Sequence, residues 1–306
     1  MNANALSDEP ETEPLTPRIG AIVHGVDLNT ISERDAARIR DALLARRVVF
    51  FRNQQVSTEG HVAFARALGP LTRAHPILPA SDEDQAVFEL DSQAGSAANH
   101  WHTDVTFVIR PPTFSILHAL VVPPVGGDTM WANTVAGYAD LRPTIRALAD
   151  ELRAVHTNGH DYGRADVASS GQARPEQIER LRRFASSVYE TEHPVVRLHP
   201  ETGERALLLG GFAQKLVGHG STETVDLVRT LQSYVTRPEN TVRWRWEAGD
   251  VAVWDNRSTQ HYAISDYGEA HRKMQRVTTA GEVPVGLDGR PSLAIAGDDR
   301  HYYFED

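Results

Sequence analysis

Cysteine is absent from the 306-residue chain. Disulfides, thiolate metal sites and cysteine nucleophiles are therefore excluded, and any metal must sit on imidazole and carboxylate, which narrows the candidates to iron, manganese or zinc. No apolar run reaches the ~18 to 20 residues needed to cross a bilayer, so no membrane partner is expected. A basic surplus is missing too: the net charge is -10 and the pI about 5.8, which disfavours a nucleic-acid partner. The opening stretch MNANALSDEPETEP is acidic and lacks the basic-then-apolar pattern of a secretion signal. Residues 1–14 are expected to form a disordered tail, residues 15–306 one domain, and the default location is the cytoplasm.

What is present is ordinary for a packed globular protein, with 41% hydrophobic and 24% charged residues. Helical spacing is read over Ser32 to Arg47, with Ser32 as N-cap, and over Ser57 to Leu68, closed by Gly69 and Pro70. Further helices are predicted for Thr144 to Val155, Pro175 to Tyr189 and Ser221 to Val235. Strands are predicted as a pair within Arg18 to Leu28, and at Val48 to Phe51, Thr241 to Glu247, Asp250 to Trp254 and Arg272 to Ala280. His193 to His199 and Arg205 to Leu209 flank a turn and read as a hairpin. The small, polar stretch Tyr162 to Ala173 reads as a mobile loop. This order fits a mainly antiparallel double-sheet barrel with helices packed outside better than alternating βαβ units.

The most informative segment is NHWHTDVTF (99–107). On a strand, residues two apart share a face, so His102 and Asp104 would present one imidazole and one carboxylate together. A distant histidine would complete a two-histidine, one-carboxylate set, which leaves three positions open on an octahedral ion and is diagnostic of Fe(II) oxygenases. His-X-Asp alone arises often by chance. His100 faces the same way but has no carboxylate two residues on, so it reads as a polar neighbour. Among 14 histidines, His261 follows the apolar strand ending at Trp254, whereas His271 sits beside Arg272 and Lys273, which would repel a cation.

Arg272, Met274 and Arg276 alternate along a predicted strand. Such arginines are about as often a solvated face as a site. If they face the metal, two guanidinium groups imply two anions: a carboxylate cosubstrate and an anionic substrate. Gly126 and Gly127 lead to Thr129, either an ordinary turn or a hydroxyl donor to the same carboxylate as Arg272.

Together, WHTDVTF (101–107), GGDTMWANT (126–134), HPVVRLHPETGER (193–205), WDNRSTQH (254–261) and HRKMQRVT (271–278) resemble the taurine dioxygenase family of Fe(II)/2-oxoglutarate enzymes, including its alkylsulfatase branch. The resemblance runs from about Gly20 to about Pro284. It implies a mainly β fold with flanking helices and a double-stranded β-helix (jelly-roll) core. It implies Fe(II) on His102, Asp104 and His261, and 2-oxoglutarate against Thr129 and Arg272, with O₂ as co-reactant. Arg276 and His75 match positions holding a substrate sulfonate or sulfate; Val105 matches a substrate contact and Phe212 a pocket wall. Leu78 and Ala98 stand where the taurine enzymes carry a tyrosine and an asparagine, which removes polar partners for a small zwitterion. HTNGHDY (156–162) is closer to the alkylsulfatase branch.

The implied reaction hydroxylates the carbon next to the sulfur or sulfate of an alkylsulfonate or alkyl sulfate. The product collapses to an aldehyde plus sulfite or sulfate, with succinate and CO₂ from the cosubstrate. Rival readings are the same chemistry on a carboxylate such as an aryloxyalkanoate, a non-catalytic 2-oxoglutarate or metal sensor, and a zinc hydrolase, for which no positioned general base is evident. A homo-oligomer, dimer or tetramer, is expected.

Overall fold

A computed structural model describes residues 11–94, 98–159, 175–184 and 186–304 of the chain. Its largest sheet has seven strands in the order Thr12–Pro14, Ala21–Val23, Val48–Phe51, Val251–Asp255, Phe114–Val121, Lys273–Thr278 and Phe88–Asp91. All neighbours are antiparallel except Ala21–Val23 and Val48–Phe51. A three-stranded sheet (Thr241–Trp244, Thr129–Asn133, Thr259–Ala263) and a four-stranded one (Ala213–Leu216, Arg153–Thr157, Glu190–Pro194, Leu293–Ala296) complete the jelly roll.

Strand alternation explains how the large sheet is buried on both faces. Val49, Phe51, Val251 and Val253 face one cluster with the helices Glu33–Arg46 and Thr58–Leu68. Val48, Phe50, Ala252 and Trp254 face the opposite cluster, where Trp131 and Trp244 come from the three-stranded sheet and Trp246 from just beyond it. A strand buried on both sides reads as a continuous apolar run, as Val48–Phe51 does. Both helices start as their sequences predict. The Ser32 and Ser57 hydroxyls accept from the backbone N–H of Asp35 and Gly60, each at 3.1 Å.

Several boundaries differ from expectation. Thr12–Pro14, assigned to the tail, pairs with Ala21–Val23; residues 1–10 lie outside the described residues. The expected strand pair within Arg18 to Leu28 is thus one strand, paired with Thr12–Pro14 upstream and with Val48–Phe51 downstream. The helix expected over Thr144 to Val155 is Pro143–Glu151, because Val155 and its neighbours are recruited into Arg153–Thr157. The helix from Pro175 ends at Phe184, and Thr241 extends only to Trp244 as strand. The Val196–Leu198 and Arg205–Leu207 hairpin forms as read. The loop Tyr162 to Ala173 lies outside the described residues. Among the described residues, no helix is long and apolar enough to cross a membrane.

Candidate metal centre and anion sites

His102 and His261 meet through the backbone first. Each donates its N–H to the other's carbonyl, at 3.0 and 2.8 Å, an antiparallel bridge between an irregular segment and the strand Thr259–Ala263. Their ring centroids lie 4.1 Å apart. Gly210, at φ 105°, makes room for this bridge: a Cβ there would come within 3.0 Å of the Trp101 carbonyl oxygen and 3.1 Å of His102 Cα.

Asp104 does not reach the site by strand alternation, which corrects the expectation. The chain turns after His102, and Val105 adopts φ 41°, a region that a β-branched residue rarely occupies. The turn is held from the four-stranded sheet. His156 Nδ1 bonds Thr106 Oγ1 at 2.8 Å, and His193 Nε2 donates to the Thr106 carbonyl at 2.7 Å. One potential ligand atom from each of His102, Asp104 and His261 lies within 4.8 Å of the others, and all three residues are buried.

The donor set suits a divalent metal. His102 Nδ1–H donates to the His100 carbonyl at 2.9 Å, which leaves Nε2 as the ligand nitrogen. Burial, above all, lowers the pKa of both imidazoles, so both are neutral and able to coordinate. Burial pushes the Asp104 carboxyl up, but Arg276, His261, His102 and the Ser115 hydroxyl outweigh it and bring it to about 2. Asp104 is thus a carboxylate. His271 instead pairs with Asp91 at 3.1 Å, and His100 supplies its carbonyl, as expected of a neighbour.

The turn that delivers His261 is clamped by charge. The fully buried Asp255 carboxylate accepts from the Arg257 backbone N–H, Nε and Nη2, at 2.8, 2.9 and 2.8 Å, and from His199 Nε2 at 2.9 Å. Burial disfavours its charge, but these bonds prevail and hold its pKa below the usual carboxylate range. The WDNR motif therefore does structural work around the metal centre.

Arg272 stands just before its expected strand, which runs Lys273–Thr278. Its Nε donates to the Gly127 carbonyl at 3.1 Å and its Nη2 to Thr129 Oγ1 at 3.3 Å. Gly127 has φ 74°, and a Cβ there would lie 3.2 Å from Arg272 Cδ. Trp246 Nε1 also donates to Thr129 Oγ1, at 2.9 Å, so the hydroxyl keeps its own hydrogen for a further acceptor. Thr129 pairs with Ala263, two residues past His261, or about 7 Å along the strand. Arg272 also lines a small cavity with Leu90, Ala98, Ala263 and Tyr267.

Arg276 is buried and donates through Nη1 to Asp104 Oδ1. Its guanidinium lies 5.2 Å from the Phe88 ring centre, and His75 stacks on that ring at 5.3 Å. His75 Nδ1 accepts from the N–H of Ile77 and Leu78, both at 3.0 Å, which puts the ring proton on Nε2. The Phe212 ring lies 6.1 Å from His102 and 5.0 Å from Phe107. Leu78 packs with Ala74 and Phe88, so this side of the site is apolar. The structure brings His102, Asp104 and His261 together, with Arg276 on Asp104 and Phe212 beside His102, while Arg272 meets Thr129 and His75 stacks on Phe88. Sequence reasoning gave no role to Ser115, Trp246, Trp254, Asn256, His156 or His193. Of these, only Ser115 falls outside the segments singled out as motifs or strands.

The family model for the taurine catabolism dioxygenase TauD, TfdA family matches residues 11–278. The chain belongs to this family. It is 50% identical over 280 residues to an alkylsulfatase of Acinetobacter baylyi, covering 90% of this chain and 86% of that one. It is 50% identical over 289 residues to an alpha-ketoglutarate-dependent sulfate ester dioxygenase of Pseudomonas putida, covering 93% and 94%. The crystal structure of a taurine dioxygenase from Burkholderia xenovorans superposes with a TM-score of 0.79 at 41% identity, covering 94% of this chain and 95% of that one. As a family member the chain is a 2-oxoglutarate-dependent dioxygenase.

Proposed function

We propose that the protein hydroxylates the carbon next to the sulfate group of an alkyl sulfate, or next to the sulfur of an alkylsulfonate. The hydroxylated product then collapses to an aldehyde plus sulfate or sulfite. One 2-oxoglutarate and one O₂ are consumed, and succinate and CO₂ leave. The convergence of His102, Asp104 and His261 carries this reading. Fe(II) held there would supply the oxidation of an unactivated C–H bond, which side chains alone cannot perform.

The chain's own residues position the reactants. Arg272 and the Thr129 hydroxyl would hold the far carboxylate of 2-oxoglutarate. Arg276 and the Nε2–H of His75 would hold the substrate anion beside Val105. Phe212, with Phe107, would wall the alkyl part and exclude water. The names of the two relatives at 50% identity support a sulfate ester over a sulfonate. The apolar lining by Leu78, Ala74 and Phe88 supports an alkyl chain over taurine.

The same proposal places the enzyme in the cytoplasm, whose reducing interior supplies 2-oxoglutarate and ferrous ion. It also includes a homo-oligomer, dimer or tetramer. The edge strand Leu293–Ala296, exposed along its length with two large apolar side chains, supports self-association. Succinate formation measured across alkyl sulfates, alkylsulfonates and aryloxyalkanoates tests the substrate class. Turnover confined to carboxylates would refute it.

A further inference from the structure

The two carboxylate oxygens of Asp104 have different surroundings. Oδ1 lies 3.8 Å from His261 Nε2 and accepts from Arg276. Oδ2 accepts from Ser115 Oγ at 2.7 Å. Ser115 Oγ accepts from Asn256 Nδ2 at 2.8 Å, and Asn256 Oδ1 accepts from Trp254 Nε1 at 3.0 Å. All four residues are buried, with Ser115 and Trp254 no more than 1% exposed.

The direction of this chain is fixed by what each group can do. An indole N–H only donates, so the amide oxygen of Asn256 must face Trp254. The Asp104 backbone N–H, 3.4 Å from the same oxygen, requires the same amide orientation. The Asn256 NH₂ then faces Ser115, whose hydroxyl must spend its single hydrogen on Asp104 Oδ2. Trp254 and Ser115 are register partners on adjacent central strands, and Asn256 follows directly on the end of Val251–Asp255. Trp254 also packs its ring on His261, with centroids 4.8 Å apart, so it touches one ligand and reaches another through hydrogen bonds.

We propose that Trp254, Asn256 and Ser115 form a one-way hydrogen-bond relay that occupies Asp104 Oδ2 and commits Asp104 to hold the metal through Oδ1 alone. The proposal rests on the metal-centre reading above. Held by Ser115, the carboxylate cannot rotate and keeps Oδ1 aimed at the histidine nitrogens; released, it must be ordered on binding, a cost that exceeds any gain from contact through Oδ2. With Oδ2 engaged, three positions stay open on an octahedral ion, as many as 2-oxoglutarate and O₂ together require. Ser115, Asn256 and Trp254 are positioning residues, because they act on the metal only through Asp104.

The test is calorimetric titration of Mn(II) into the chelator-stripped full-length protein, without substrate or turnover. Ser115→Ala should weaken Mn(II) binding by about 10- to 100-fold. Trp254→Phe keeps a ring against His261 but loses the N–H, and should weaken binding less. Because the relay acts in series, the double variant should bind no worse than Ser115→Ala. Wild-type affinity in Ser115→Ala, or two losses that multiply in the double variant, would overturn the relay while leaving the metal centre intact. Failure of the wild type to bind Mn(II) would overturn the metal centre itself, and the relay with it.

Discussion

Lowering the pH from 6.5 to 5.5 should cost this protein a large part of its stability, through buried histidines that are not metal ligands. His61, His156 and His193 are each no more than 1% exposed. Burial is the largest cause of lowered pKa in all three, taking His61 and His193 to about 3 and His156 well below its ordinary value. Folded molecules therefore keep these rings neutral, while unfolded chains protonate them near pH 6.5. The stability that depends on neutral rings is complete above that value. It is lost as pH falls, because the unfolded state then binds more protons, and the loss levels off only near pH 3. Each ring costs about 1 kcal/mol between pH 6.5 and 5.5 and about 1.4 kcal/mol per further unit, or roughly 3 kcal/mol for the three over the first step. Against a typical total of about 5 to 15 kcal/mol, that is decisive. Urea unfolding of the metal-free protein at pH 7.5, 6.5 and 5.5, followed by circular dichroism, measures it. The buried site histidines should add to the loss, and His61→Gln should lessen it by about 1 kcal/mol. Equal unfolding free energies at pH 6.5 and 5.5 would refute the assignment of neutral rings.

Trp246→Phe should weaken 2-oxoglutarate binding to the Mn(II)-loaded protein by about 5-fold, the worth of one hydrogen bond of about 1 kcal/mol to Thr129; calorimetry with 2-oxoglutarate as titrant reads it. Arg272→Lys keeps the charge but loses the fork that grips Gly127 and Thr129. It should cost about 10-fold or more in 2-oxoglutarate affinity and leave Mn(II) affinity unchanged; a matched loss of metal binding would mean that the arginine is structural. Val105→Gly should be more stable to heat than Val105→Ala, the reverse of the usual order, because glycine relieves about 1 kcal/mol or more at φ 41°. Comparing their melting temperatures decides this.

The candidate ligands were legible as residue chemistry and the antiparallel barrel as local periodicity, while the Arg272 and Thr129 pair and the jelly-roll class followed from the family resemblance of the motifs. A cysteine-free chain leaves imidazole and carboxylate as its strongest metal ligands. Apolar runs such as Val48–Phe51 mark strands covered on both faces, and serines before helical periodicity mark caps. Local pattern failed where neighbours distant in sequence determine conformation. Val155 has helical spacing, yet it pairs with Glu192, and Thr12–Pro14 has the composition of a tail, yet it finds Ala21–Val23. The chain does not follow the strand alternation that the spacing of His102 and Asp104 predicts; His156 and His193, from another sheet, hold the turn that presents Asp104. Nothing in the letters around Ser115 marks it, because its partners lie 11 and 141 residues away and meet only when central strands pair. Composition and spacing thus determined which groups could do the chemistry. Tertiary structure alone decided which lone pair and which proton each group presents, because hydrogen-bond direction is set by neighbours that only folding brings together.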